Sequence, residues 1–281
     1  MLWFYTLLPS LLPFMILSNI CIKTGLLDKL FEAPKTFWKK AFALSPSGAY
    51  ALCMGIFCGY PMGAKITADL YAEHRIPKQE ASYLLTFACF PSPSFLSSYL
   101  CVGLLKNSRL IFPTYFILYS SGLLCSFLFR PKADTYFPYF EKKKKEMPSS
   151  ASIGKALDTS IMNSFETITK LGGYILIFSI LQGIFNLAFR SCPIFLYFLQ
   201  GVTEMTTGNA ALTKVPLEFD LCYPLILAFT SFGGLSVTAQ TKSMLANTDL
   251  PFSSYLKGKI CSFICTFAIA FFLIKVVKVI V

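Results

Sequence analysis

From Leu225 to Gln240 the chain reads LILAFTSFGGLSVTAQ, apolar for half its length and then broken at Gly233, Gly234 and Ser236, with no charge in the run. A second run, Ala49 to Lys65 (AYALCMGIFCGYPMGAK), is likewise apolar and then broken at Gly59, Pro61 and Gly63 before it ends on Lys65. Backbone that leaves the helix at membrane depth is tolerated only where protein or a polar cavity satisfies its N–H and C=O groups. Two such breaks in one chain point to a solute site near the membrane midplane.

Composition supports a membrane reading of these runs. Hydrophobic residues make up 55% of the 281 and charged ones 14%, against about 45–50% and 25% in soluble proteins. Crossing the hydrocarbon takes on the order of 20 apolar residues. The stretches that qualify are Leu2–Ile22, Ala41–Ala64, Tyr83–Leu105, Leu110–Phe129, Leu171–Phe189, Leu221–Ala239 and Ile260–Ile274. The expected fold is an all-α, polytopic helical membrane protein with broken or re-entrant helices. Ser191–Val202 is too short to span alone and reads as a partial or interfacial segment. Leu2–Ile22 has no positive residue ahead of it and is long for a signal core, so it reads as a retained helix.

The net charge of +11 is no nucleic-acid signal, because the basic residues sit in connections and not on one face. Membrane proteins gather Lys and Arg in cytosolic loops. If every apolar stretch crosses, the basic residues divide almost evenly between the two sides. If Ala41–Ala64 instead turns back at its glycines, residues 23–40, 65–80 and 130–170 share one side with sixteen of the eighteen basic residues up to position 170, and Lys106 and Arg109 face the other way. The second arrangement obeys the charge rule and makes the two halves an inverted repeat. The halves are expected at 1–129 and 156–281, joined by a basic cytosolic linker at 130–155 that contains Glu141-Lys142-Lys143-Lys144-Lys145-Glu146. A shift of 174 positions lays Gly59 on Gly233, Thr67 on Thr241, Ala72 on Ala246 and Pro77 on Pro251.

The ten cysteines lie mostly within apolar stretches and show no zinc-type spacing, and His74 is the one histidine, so they read as packing residues with no metal and no cofactor implied. No nucleophile elbow, phosphate loop or acid/base pair is present, so no enzyme is expected.

Two motifs together carry a family resemblance. Gly59-Tyr60-Pro61-Met62-Gly63-Ala64-Lys65, continuing to Tyr71, and Gly233-Gly234-Leu235-Ser236-Val237-Thr238-Ala239-Gln240 resemble the nucleoside-recognition (Gate) domain family, and within it the sporulation integral membrane proteins of spore-forming Firmicutes. Leu12-Pro13-Phe14, Ser92-Pro93, Gly172-Gly173-Tyr174 and Glu204-Met205-Thr206-Thr207-Gly208 fall in that family's order. The resemblance implies a multi-pass inner-membrane protein of sporulation related to the gate regions of concentrative nucleoside transporters. One branch of the family is associated with moving dipicolinate across the outer forespore membrane into the spore.

The residues themselves argue for an anion site independently of that resemblance. A helix that restarts after a break aims free N–H groups and a positive dipole end at the gap. Gly59, Tyr60, Pro61, Gly63 and Lys65 would form one side of the site, with Lys65 supplying charge. Gly233, Gly234, Ser236, Thr238 and Gln240 would supply neutral donors on the other. Lys65 and Asp69 stand four apart, so a plain helix-face ion pair is the competing reading. Ser92 and Ser94, within Pro91-Ser92-Pro93-Ser94, are further candidates, with a simple proline kink as the alternative. Glu204 and Asn209 are candidates for ion coupling, against a solvated loop. The expected partners are a small anion and the bilayer. Carriage of a nucleoside or other metabolite, and a non-transporting scaffold for sporulation partners, are the rival functions.

Overall fold

A computed structural model describes residues 8–24, 31, 34–131, 150–189 and 192–280. Most of the expected linker, with its lysine run, lies outside the described residues. Among the described residues there are helices and turns and no strand. Four helical stretches are long and apolar enough to cross a membrane: Ser108–Leu128, Leu157–Ala188, Phe219–Met244 and Phe252–Val276. A bent pair, Lys35–Phe42 with Pro46–Cys58 at 73°, is a fifth candidate. The chain is a polytopic helical membrane protein. Exposed apolar side chains accord with this: Leu176, Ile177, Ile180, Ile184 and Leu187 all face outward along one helix, a surface that suits hydrocarbon and not water.

In chain order the elements are α1 (Leu8–Thr24), α2 (Lys35–Phe42), α3 (Pro46–Cys58), α4 (Met62–Ala72), α5 (Lys78–Phe87), α6 (Phe95–Leu104, wound as a π-helix), α7 (Ile111–Leu128), α8 (Ser150–Ala188), α9 (Pro193–Thr203), α10 (Met205–Leu212), α11 (Phe219–Phe232), α12 (Gly234–Met244) and α13 (Phe252–Ile280). The expected Tyr83–Leu105 span is therefore two helices, α5 and α6, parted by the proline-containing stretch 88–92. The N-terminus of α3 is fixed twice over. Ser45 caps it by accepting from the Gly48 amide, and the buried Glu80 carboxylate accepts from the Ser45 amide at 2.7 Å. An acceptor there serves an amide that the helix itself leaves unpaired.

Helix α4 folds back on α3. A methyl group at Gly55 would come within 3.1 Å of Gly63 Cα, and methyls at both glycines would lie 2.0 Å from the Ala88 carbonyl oxygen. The two legs thus meet, without side chains between them, on the end of α5. The expected re-entrant turn at the glycines is present, and its returning leg runs to Ala72. A second hairpin, not anticipated as such, joins α9 to α10, where Gly208 sits against Gly201 so closely that a methyl would be 2.2 Å from its Cα. One leg of it, α9, holds the described part of the short segment expected at Ser191–Val202.

This changes the internal correspondence. The 174-residue overlay pairs Gly59, at the tip of a hairpin, with Gly233, in the middle of a span that runs on through Phe219–Met244. The element order gives a different register. Lys78 and Ile111, where α5 and α7 begin, lie 141 residues before Phe219 and Phe252, where α11 and α13 begin. Each half then reads as a long helix (α1; α8), a hairpin (α3–α4; α9–α10), a broken span (α5–α6; α11–α12) and an unbroken span (α7; α13). The 174-residue shift failed because both runs share the order apolar helix, glycine, short helix, proline, and only packing across the break separates a fold-back from a run-through.

Contacts sort the connections into two ends. At one end Arg75 donates to the Ile22 carbonyl (2.8 Å), Arg130 to the Lys40 carbonyl (2.6 Å), and Lys78 and Tyr71 both reach Asp249 (2.6 Å each). At the other, Thr114 pairs with Tyr223 (2.8 Å) and Lys275 approaches Asp220 (3.9 Å). Followed between these ends, α5–α6 and α7 run opposite to their counterparts α11–α12 and α13, as an inverted repeat requires.

Candidate functional site

The two hairpin tips and the two span breaks come together in the middle of the molecule. Gly59, at φ 79°, packs on the first break so closely that a methyl on it would be 2.7 Å from the Ser92 amide nitrogen. Gly234, at φ 78°, packs on the second hairpin tip in the same way, 3.0 Å from the Thr203 carbonyl oxygen and 3.2 Å from Glu204 Cα by the same measure. A side chain at either position would meet both a left-handed backbone and a neighbouring chain. The Tyr60–Pro61 peptide at the first tip is cis. Its Tyr60 hydroxyl crosses to the second break and donates to the Ser231 carbonyl at 2.7 Å.

Lys259, on α13, ties these parts together. Its side chain is 4% exposed, and its Nζ donates to the Cys89 carbonyl (2.6 Å), the Tyr60 hydroxyl (2.9 Å) and the Ser231 carbonyl (3.0 Å). It also stands 4.1 Å from the centroid of the Tyr60 ring. Carbonyls in the last turn of a helix have no intrahelical partner and carry the negative end of the dipole. Ser231 closes α11 and Cys89 follows α5, so one ammonium serves both broken spans. Gly258 makes this approach possible, since a methyl there would lie 2.0 Å from the Thr86 carbonyl oxygen. Lys259 was absent from the residues expected from sequence. It stands just outside an apolar stretch, beside Lys257, where it reads as a flank. The spacing to Gly258, a small residue one step before a lysine, was the available signal.

The expected residues divide into those brought to this centre and those held apart. Gly59, Tyr60, Pro61, Ser92, Gly233 and Gly234 are in it. Gly63 serves the packing of the first hairpin on α5. Lys65 is engaged by Asp69, at 2.5 and 2.6 Å from the two carboxylate oxygens. Ser94 is exposed, at the start of the turn leading into α6. The Ser92 hydroxyl accepts from the Phe95 amide at 3.3 Å, so it caps α6. In the second half Thr238 donates to the Gly234 carbonyl on its own helix, and Gln240 donates to the Ser236 hydroxyl at 3.2 Å, with both Ser236 and Gln240 buried. Glu204 caps α10, accepting from the Thr206 and Thr207 amides (3.0 and 2.8 Å) and from both threonine hydroxyls. Asn209 is fully buried and donates to the Thr230 hydroxyl at 2.7 Å, while its Oδ1 has no partner among the described residues.

The chain is similar to a sporulation integral membrane protein. That relative is YlbJ of Bacillus subtilis (strain 168), 25% identical over an alignment that covers 92% of this chain and 71% of the relative. No family model matches the chain. No solved structure matches it.

Proposed function

We propose that the chain is a carrier, and not an enzyme, that moves a small anion across a membrane of a sporulating cell, with dipicolinate the candidate solute by resemblance. The observation that carries the anion class is Lys259. A buried ammonium whose three hydrogen-bond partners are neutral oxygens leaves net positive charge at the point where both span breaks and the first hairpin tip meet. Desolvating an ion costs several kcal/mol even after relaxation, and a carrier recovers part of that when an anion arrives beside it. Lys65, the charge expected to do this, has its carboxylate already. Alternating access would move one hairpin and broken span against the other around Lys259. The basic end of the bundle would face the cytosol by the charge rule. The relative's name supports the sporulation setting.

One observation favours a neutral solute such as a nucleoside. The buried Asn209 Oδ1, without a partner among the described residues, lies beside the centre, since Asn209 bonds Thr230 and the Thr230 carbonyl is 3.3 Å from the Tyr60 hydroxyl; it is an acceptor that a nucleoside would use and a dicarboxylate would not. The two readings separate in reconstituted vesicles offered labelled dipicolinate or labelled uridine. Uptake of the dicarboxylate, together with dipicolinate-poor spores from cells that lack the protein but still synthesise the compound, is the result expected. Uridine uptake with normal spore dipicolinate would transfer the proposal to the nucleoside.

A further inference from the structure

Three thiols meet between α7 and α13, just beyond Lys259 along α13. The Sγ atoms of Cys125, Cys261 and Cys265 all lie within 4.8 Å of one another, and those of Cys261 and Cys265 are 3.9 Å apart. Helix geometry makes the second pair, since residues four apart share a face. The third member is brought in by register. Thr266 donates to Ser121 at 2.8 Å, and Ser121 is one turn before Cys125, so the bond that pins α7 to α13 also sets Cys125 opposite the other two. Cys125 is fully buried and its two partners are part-exposed.

A metal–thiolate bond of about 2.3 Å places the sulfurs of a trigonal three-sulfur site about 4 Å apart. The Cys261–Cys265 separation already matches, and the third sulfur lies within 4.8 Å of both. Thiolate sulfur selects soft ions. Zinc favours a fourth ligand, whereas Cu(I) is content with three. We propose that Cys125, Cys261 and Cys265 form a binding site for one Cu(I) ion. Binding exchanges three S–H bonds for three S–Cu bonds, releases the thiol protons to solvent and leaves copper in the same oxidation state. The proposal does not rest on the transport reading.

The test uses the full chain in detergent or nanodiscs under anaerobic, reducing conditions. Cu(I) titrated against a chromophoric chelator should transfer one equivalent to the protein. Cys125→Ser, Cys261→Ser and Cys265→Ser should each weaken that binding at least ten-fold, and Cys53→Ser and Cys222→Ser should not. Because Cys125→Ser alters a buried site, a second measurement uses the unaltered protein. One equivalent of Cu(I) should slow maleimide labelling of Cys261 and Cys265 and leave the labelling of the exposed Cys192 unchanged. Copper retained equally by the three serine variants and the controls, or labelling of Cys261 and Cys265 that ignores copper, would overturn the site and return these cysteines to packing.

Discussion

At the scale of the residue the account turns on Lys259 and on the glycines that let it reach its partners. Replacing Lys259 by Met keeps the stem and removes the ammonium, so the Cys89 and Ser231 carbonyls lose a buried donor. An unsatisfied buried acceptor costs about 1–3 kcal/mol. Lys259→Met should therefore lower the thermal midpoint of the purified protein clearly, whereas Lys65→Gln, which breaks a pair on one helix face, should cost about 0.3–0.5 kcal/mol. A Lys259→Met midpoint equal to that of Lys65→Gln would mean that the ammonium is not held as described. Gly63→Ala places a methyl on the Ala88 carbonyl with no flexible side chain to yield, and overpacking of this kind costs about 1–3 kcal/mol; Gly173→Ala, at a position with open space, should cost nothing and serves as its control. Gly59 and Gly234 were legible in sequence because a glycine before a restarted helix has few other uses in a membrane run. Lys259 was not, because its partners are 28, 170 and 199 positions away and no local pattern announces them.

At the scale of the element, the question is which breaks reverse the chain and which do not. Fold-back of α3–α4 would put Lys35 and Lys78 on one side of the membrane. Cysteine introduced at each, in a background without reactive native thiols, should be labelled by an impermeant reagent from the same side only. Labelling from opposite sides would mean that the Pro46–Ala72 segment crosses. The contact between Lys78, Tyr71 and Asp249 joins the two halves at this end. The Lys78 ammonium, and then the Tyr71 hydroxyl, hold the Asp249 carboxyl below the usual carboxylate range by hydrogen bonding. A depressed carboxyl stabilises the folded state above its unfolded pKa and loses that contribution as pH falls through its folded value. Asp249→Asn should lower the midpoint at neutral pH and make no difference in strong acid; a loss that persists in acid would assign the effect to packing instead. The charge distribution alone predicted the fold-back, since one re-entrant segment was needed to gather the basic residues. The second hairpin escaped notice because its legs are short and Glu204 at its tip reads as a loop residue, although that same Glu is the cap that starts α10.

At the scale of the whole molecule, composition and apolar runs made the membrane class legible. The register between the halves was not, because helices and glycine breaks repeat in both possible alignments and only tertiary contact distinguishes them. In the structure the first hairpin tip and both span breaks converge on one ammonium, and the second hairpin tip packs on the second break. Under the proposed function this convergence is a transport site and not merely a packed core. The direct test is uptake of labelled dipicolinate by vesicles carrying the unaltered protein or Lys259→Met, with Lys65→Gln as the comparison and membrane incorporation measured for each. The account predicts that Lys259→Met inserts and abolishes uptake while Lys65→Gln retains most of it. Full uptake by an inserted Lys259→Met protein would contradict it.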